Sequence, residues 1–209
     1  MKKLYAICLI FALIGCSDNK AELKNRYQAW SDTYWGMTEQ QLLNFIELDN
    51  TSSEINKGEC NKKYIQSQNL ESCQSISLDN YKIGNQHYQI SFRLENNQLS
   101  NIYFMHNESS EILASSNNNS IEEILRSNNL MKQVSWNASI ELYKLLSEKY
   151  GEPNSKNINS DKFSELNAIW EKDYTIIELK NSGIMTSLSY KPNKTNFYLD
   201  TVPKDHYKL

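Results

Sequence analysis

The chain has 209 residues, a formal net charge of −3 and a mean hydropathy of −0.66. Aromatic residues make up 11% of it, including 13 Tyr and 4 Trp, which argues against disorder because disordered chains are depleted in aromatics. The length suits one domain or two small ones, and the mildly acidic charge balance disfavours nucleic-acid binding, which requires basic patches.

The first sixteen residues have the layout of a secretory signal. Lys2 and Lys3 precede an apolar run from Leu4 to Ile14, which closes on Gly15-Cys16. A basic start, an apolar middle and a small residue before the cleavage site are the marks of a signal peptide. As a helix the run would cover only about 16 Å, roughly half of a bilayer's hydrocarbon core, so we do not expect it to span a membrane.

Leu13-Ile14-Gly15-Cys16 resembles the lipobox, in which bacterial signal peptidase II cleaves immediately before the cysteine once its thiol is lipidated. The resemblance implies that residues 1–15 are removed, that Cys16 carries acyl chains and that residues 16–24 form a lipidated tether. Two or more acyl chains give stable anchoring to a membrane. Ser17, and not Asp, follows the cysteine, and in the sorting rule of enteric bacteria this favours the periplasmic face of the outer membrane over the inner membrane.

Two cysteines remain beyond the signal and the anchor. In an oxidising periplasm Cys60 and Cys73 are expected to form a disulfide, and the chain-entropy model assigns about 3 kcal/mol to a loop of this length. The alternative is a metal site, which needs four ligands at short spacings. The histidines are scattered without such spacing: His87, His106 and His206. We therefore predict a disulfide, no metal site and no cofactor.

The first half of the mature chain predicts helices followed by a meander. Leu23, Tyr27 and Trp30 at helical spacing predict a first short helix. Thr38 and Gln41 form a capping box that opens a second helix ending near residue 48, and a polar loop is predicted from 49 to 61. Period-two alternation and turn dipeptides then predict three strands: Ile76–Ile83, Gln86–Leu94 and Leu99–His106. The third has apolar residues on both faces, which predicts that it is covered twice or lies centrally.

The second half repeats this order of elements. A polar connector over 107–120 precedes a short helix near 121–125 and a longer one over 137–150, which Gly151 and Pro153 terminate. Three more strands are predicted after it: Leu166–Glu171, Tyr174–Lys180 and Ile184–Lys191. The predicted class is therefore α+β, with two helix-plus-three-stranded units over 25–106 and 121–191 and a tail over 192–209. We expect helices on one face of the sheet or sheets; the order indicates a pseudo-repeat, the alternative being one domain whose order repeats by accident.

Two short motifs carry a further resemblance. Trp35-Gly36-Met37-Thr38 at a helix start and Lys149-Tyr150-Gly151-Glu152-Pro153 at a helix end resemble a loose set of uncharacterised bacterial lipoproteins and secreted proteins. The resemblance implies an extracytoplasmic α/β module and carries no catalytic residue across. The layout is also similar to the β-lactamase-inhibitor-like and outer-membrane-assembly lipoprotein folds, which act by binding other proteins.

The common catalytic signatures are absent from the sequence. It contains no G-x-S-x-G, G-x-x-x-x-G-K-[ST] or H-E-x-x-H motif. The four tryptophans are predicted to pack in the core more than to stack on ligands. We therefore expect an envelope protein, lipid-anchored to the membrane, that binds a partner protein or supports the envelope without catalysis. The alternatives are an immunity-type inhibitor of a periplasmic toxin or hydrolase, and an enzyme built around His87 or His106.

Overall fold

The computed structural model describes residues 27–48, 54–107, 121–159 and 165–193. The predicted signal, Cys16 with its tether, the connector from 108 and the tail from 194 lie outside the described residues. The elements in chain order are α1 (Glu39–Leu48), β1 (Ile55–Glu59), α2 (Lys62–Ser67), β2 (Cys73–Ile83), β3 (Gln86–Glu95), β4 (Gln98–His106), α3 (Ile121–Tyr150), β5 (Ser155–Asn159), β6 (Glu165–Glu171), β7 (Thr175–Ser182) and β8 (Thr186–Pro192).

All eight strands belong to one antiparallel sheet in the order β1-β2-β3-β4-β8-β7-β6-β5. The two meanders meet where β4 pairs with β8, with Tyr103 opposite Ser189. The mixed helix and strand class predicted from the sequence is therefore confirmed. β4, whose apolar residues occupy both faces, lies centrally, because it pairs with β3 on one side and β8 on the other.

Local signals in the sequence account for several element boundaries. The backbone N–H of Thr38 donates to Gln41 Oε1 at 2.9 Å and the backbone N–H of Gln41 donates to Thr38 Oγ1 at 3.4 Å, so both bonds of the predicted capping box form at the start of α1. Gly151, with φ of +81°, follows the last residue of α3 and ends it in the left-handed conformation that glycine tolerates best. Asn96 and Asn97 both have positive φ, as the two-residue turn between β3 and β4 requires.

The prediction of three strands in each unit was wrong, because each unit has four. β1 lies inside the segment predicted as a loop, and β5 follows Pro153, where no strand was predicted. Both are five-residue strands at the sheet edges, and every residue in both is exposed. Backbone pairing with β2 and β6 forms them, so their sequences carry no alternation of burial.

Two helix predictions also need correction. The short and long helices predicted around 121–125 and 137–150 are one 30-residue helix, α3. The intervening residues include a run of weak helix formers over 127–129 but contain neither proline nor glycine, and Met131, Ser135 and Ala138 continue the buried stripe of α3. The predicted first helix is absent from residue 27 onward. There the chain makes a turn closed by a bridge between Gln28 and Tyr34.

One hydrophobic cluster joins the sheet to the helices. Its strand members alternate along the sequence, as in β3, where Ile90, Phe92 and Leu94 are fully buried. Leu42 of α1 and Leu142 of α3 belong to the same cluster, and α3 contacts β6, β7 and β8. We call the strand face that bears these side chains the core face.

A buried polar group fixes α3 against the sheet. Ser135 Oγ lies 2.9 Å from Thr186 Oγ1 on β8, and Asn181 Nδ2 on β7 donates to Ser135 Oγ at 2.7 Å. The Thr186 hydroxyl in turn donates to the carbonyl of Ser135 at 2.6 Å. Buried polar atoms are costly unless they are paired, so this mutual pairing restricts the register of the helix on the strands.

Candidate functional site

The strand residues that alternate with the core residues form the opposite side of the sheet, which we call the open face. Along β3 this face carries Gln89, Ser91, Arg93 and Glu95, all half-exposed. One row crosses all eight strands in register: Asn56, Ser77, Ser91, Tyr103, Ser189, Glu178, Ile169 and Ser155. This row, which runs across the whole open face, therefore carries mostly short polar side chains.

A single large side chain stands at the centre of this row. Tyr103 lies on β4, with Ser91 beside it on β3 and Ser189 beside it on β8. Serine side chains are short, so the ring of Tyr103 has small neighbours on both sides. A tyrosine ring, which has an apolar body and a polar tip, among small polar residues is the composition that antibody paratopes favour.

A second aromatic group reaches this face from α2. The hydroxyl of Tyr64 donates to Glu95 Oε1 at 2.5 Å and accepts from Arg93 Nη1 at 3.2 Å. The guanidinium carbon of Arg93 also lies 4.7 Å from the centre of the Tyr64 ring, in cation–π contact. Burial and the neighbouring Glu95 carboxylate raise the pKa of Tyr64, so its hydroxyl keeps its proton at neutral pH.

A cavity of about 330 Å³ opens beside this pair. Its wall consists of Cys60, Asn61, Tyr64, Ser75, Ser91, Arg93, Asn101 and Tyr103. The hydroxyls of Ser75 and Ser91 are hydrogen-bonded to each other at 2.8 Å. The wall thus offers a cation, hydroxyls and an amide, all of which are hydrogen-bond donors.

The cysteine pair holds α2 in this position. Cys60 and Cys73 lie at disulfide distance, with their Cα atoms 5.3 Å apart, as the sequence predicted. Asn61, the next residue, caps α2 by accepting a hydrogen bond from the backbone N–H of Lys63 at 2.8 Å. A helix of six residues is too short to be stable alone, so these two attachments place Tyr64 over β3.

Charged side chains occupy the other half of the open face. Glu178 on β7 pairs with Lys180 at 2.6 Å and with Lys191 on β8 at 3.5 Å. Burial alone would raise the pKa of Glu178, but the hydrogen bond from Lys180 and the charges of both lysines outweigh it and lower that pKa. At neutral pH this region carries a carboxylate between two ammonium groups.

A second cavity, of about 310 Å³, lies at the C-terminal end of α3 and is a weaker candidate. Lys172 Nζ donates to the carbonyl of Tyr150 at 2.6 Å, and Lys149 lies over the Tyr150 ring. A cation at the last carbonyls of a helix stabilises the helix end. The lysines that line this cavity therefore already stabilise the end of α3.

The tryptophans that the sequence offered as candidate binding residues pack in or against the core. Trp35 and Trp170 are fully buried, and their ring N–H groups donate to Thr175 and to the Gly151 carbonyl at 2.8 Å. The prediction of core packing is confirmed for these two tryptophans. Trp30 and Trp136 are half-buried against the same cluster, and the Trp30 ring packs on Phe104.

The two histidines within the described residues do not meet. His87 is exposed on β3, whereas His106 is buried on β4, 2.9 Å from Gln86 Oε1. The Tyr64, Arg93 and Glu95 group was missed. Arg93 and Glu95 could have been placed on one face from the alternation of β3, but nothing in the sequence assigned Tyr64 to it.

No protein-family model matches the chain, and comparison with curated proteins and with solved structures gives no significant match. Within the described residues no helix combines the length and apolarity needed to cross a bilayer. Across the same residues no three His, Cys, Asp or Glu side chains are arranged to hold a metal ion.

Proposed function

We propose that this protein is a periplasm-facing lipoprotein, anchored to the outer membrane through lipidated Cys16, that acts by binding a partner protein through the open face. The address is supported by the lipobox behind a basic and apolar start, and by a cysteine pair of the kind that persists in oxidising compartments. The binding role is supported by the open face itself.

The observation that carries the binding role is the composition of that face across all eight strands. One row runs from Asn56 to Ser155 with Tyr103 at its centre, and its side chains on β3, β4, β8 and β7 are half-exposed. The core face already supplies the hydrophobic cluster. The open face can therefore present tyrosine and short polar groups, the mixture that antibody paratopes use.

We also infer that the sheet is a pseudo-repeat with α1 and α3 on the core face. The strand order is symmetric about the β4–β8 pair, and one helix precedes each set of four strands. Leu42 and Leu142, one from each helix, belong to the same hydrophobic cluster. Such an arrangement leaves one long face uncovered by the two main helices.

The proposed location at the outer membrane is tested by replacing the lipidation site. Cys16→Ser should abolish incorporation of labelled fatty acid and release the protein from the outer-membrane fraction, because the thiol accepts the lipid. Cys8→Ser, in the apolar run of the same signal, is the matched control and should be lipidated normally. Lipid incorporation by Cys16→Ser, or an unprocessed chain in the cytosol of wild-type cells, would contradict the proposal.

The binding role is tested by crosslinking in intact envelopes followed by affinity capture. Wild type and Asn129→Arg, an exposed change on α3, should capture the same recurrent partner. Ser189→Arg, which places a long side chain beside Tyr103, should lose it. Equal capture by all three proteins would rule out the open face, and a blank capture together with turnover of a cell-wall substrate would favour an enzyme.

A further inference from the structure

We propose that the cavity beside Arg93 is a carboxylate-binding site, through which the open face recognises an acidic side chain of its partner protein. That the carboxylate belongs to a partner protein rests on the proposed function. The carboxylate site itself rests on the geometry of α2, β2, β3 and β4.

Arg93 retains most of its hydrogen-bonding capacity. A guanidinium has five N–H donors, and among the described residues the Arg93 side chain makes one hydrogen bond, from Nη1 to the Tyr64 hydroxyl. No described carboxylate oxygen lies within 4.0 Å of its nitrogens. Four donors in a planar fork are thus available, and this fork matches a carboxylate in bidentate geometry.

Tyr64 keeps Arg93 available. Arg93 and Glu95 are two residues apart on the same face of β3, and their opposite charges attract each other. The Tyr64 hydroxyl stands between them, because it accepts from Arg93 and donates to Glu95, while its ring lies against the guanidinium. Tyr64 is therefore a positioning residue that satisfies the local carboxylate and holds the cation in place.

The surroundings of Arg93 are suited to an anion. Ser75, Ser91 and Asn101 line the same cavity and supply neutral donors, and Asn101 is the register partner of Arg93 on β4. The cavity of about 330 Å³ has room for roughly ten waters, enough for a carboxylate and the methylenes that carry it. Arg93 is the one charged residue among the described residues that line the cavity, and the neighbouring Glu95 carboxylate is already bonded to the Tyr64 hydroxyl.

The choice of an acidic side chain over a free small acid follows from where the cavity lies. It is on the open face, and the Tyr103 ring forms part of its wall. A glutamate or aspartate on a protein surface could enter the cavity while its neighbours contact Tyr103 and the serine row. One buried charge-assisted contact surrounded by small polar residues is a common arrangement of an interface hot spot.

The test is an NMR titration of the ¹⁵N-labelled full chain in detergent micelles, observed at the Arg93 Nε–Hε signal. N-acetylglutamate N-methylamide mimics an internal glutamate and should shift this signal saturably. N-acetylglutamine N-methylamide, its neutral equivalent, should not. The same response to both probes, or no saturable response to the glutamate probe, would overturn the proposal.

Variants separate a binding site from a structural contact. Arg93→Lys keeps the charge but removes the planar fork of donors, and Tyr64→Phe removes the positioning hydroxyl. Each should lower the affinity for the glutamate probe by about tenfold, measured from the shifts of backbone amide signals in the cavity wall. Lys82→Gln, an exposed cation at the far end of β2, is the control and should leave its affinity unchanged. Unchanged affinity in Arg93→Lys would overturn the site.

Two further arms identify the source of the carboxylate. Acetate stands for a free small acid and N-acetylalanine for a chain terminus, and both should bind more weakly than the glutamate probe. Equal affinity for acetate would show that the site binds free small acids equally well, which would rule out specific recognition of a partner's acidic side chain. If wild type and Arg93→Lys capture the same partner equally and neither responds to carboxylates, the site is wrong while the proposed function stands.

Discussion

The two faces of the sheet are formed by the same hydrogen-bonded strands, but the side chains of the core face are packed while those of the open face are half-exposed. On β3, Phe92 is fully buried in the hydrophobic cluster, while Arg93, the next residue, is half-exposed beside Tyr64. The same contrast holds on β8 between Thr186 and Ser187. One of two neighbouring residues on a strand therefore packs in the core while the next lies on the surface that we propose binds a partner, so adjacent substitutions are the sharpest test of the comparison.

The largest expected difference is between Phe92→Ala and Arg93→Ala. Removing a fully buried phenylalanine side chain costs about 3–5 kcal/mol, because it leaves a cavity in the core. Replacing Arg93 should change the free energy of unfolding by less than about 1 kcal/mol, as for other surface positions. Equilibrium urea unfolding followed by circular dichroism measures both, and equal losses would contradict the division between the faces.

The cysteine pair is an exception on the open face, because there a covalent bond contributes to stability. The two cysteines are 13 positions apart, and joining them should contribute about 3 kcal/mol by restricting the unfolded chain. The double variant Cys60→Ala with Cys73→Ala should lose this amount in urea unfolding. Dithiothreitol should destabilise wild type and leave the double variant unchanged; the absence of any difference would show that the pair does not stabilise the protein.

The buried polar group predicts an intermediate effect. Thr186→Val removes the hydroxyl that contacts Ser135 and Asn181 and should cost about 1–3 kcal/mol, because buried polar atoms lose a partner. Ser187→Ala, the next residue on the open face, should stay within about 0.5 kcal/mol of wild type. Urea unfolding of the two variants tests this contrast, and a neutral Thr186→Val would indicate that the hydroxyl network does not hold α3.

The smallest expected effect concerns Glu178 and acid. Its pKa is lowered in the folded protein, so its contribution to stability is present above its ordinary pKa of 4.5 and is lost as the pH falls through the lower folded value. Lys180 and Lys191 are largely exposed, so Glu178→Gln should cost less than about 1 kcal/mol at pH 7. Urea unfolding should show this difference shrinking below pH 4.5, whereas a difference that grew in acid would contradict the lowered pKa.

The sequence predicts the fold where side chains record burial. The inner strands other than β4 alternate in polarity because one face of each is packed, and the capping box of Thr38 and the glycine at 151 mark helix ends. The edge strands β1 and β5 are exposed throughout and hold by backbone pairing, so their sequences contain no such pattern. The continuity of α3 through Met131 and Ser135 depends on packing against the sheet, which overrides weak local propensity.

The candidate site was only partly predictable. Alternation on β3 places Ser91, Arg93 and Glu95 on one face, and the export signal predicted from the sequence led to the prediction of the cysteine pair. The position of Tyr64 depends on a six-residue helix attached through Cys60 and capped by Asn61. Such a helix has too few residues to show periodicity, so its contact with Arg93 follows only from tertiary structure.

The most direct measurement of the central claim is photocrosslinking in living cells with benzoylphenylalanine at one of two positions. At Tyr103, in the centre of the open face, we predict a discrete adduct with a partner protein. At Leu145, exposed on α3, we predict none. An adduct formed from Leu145 and not from Tyr103 would place the working surface on the helical side and contradict this account.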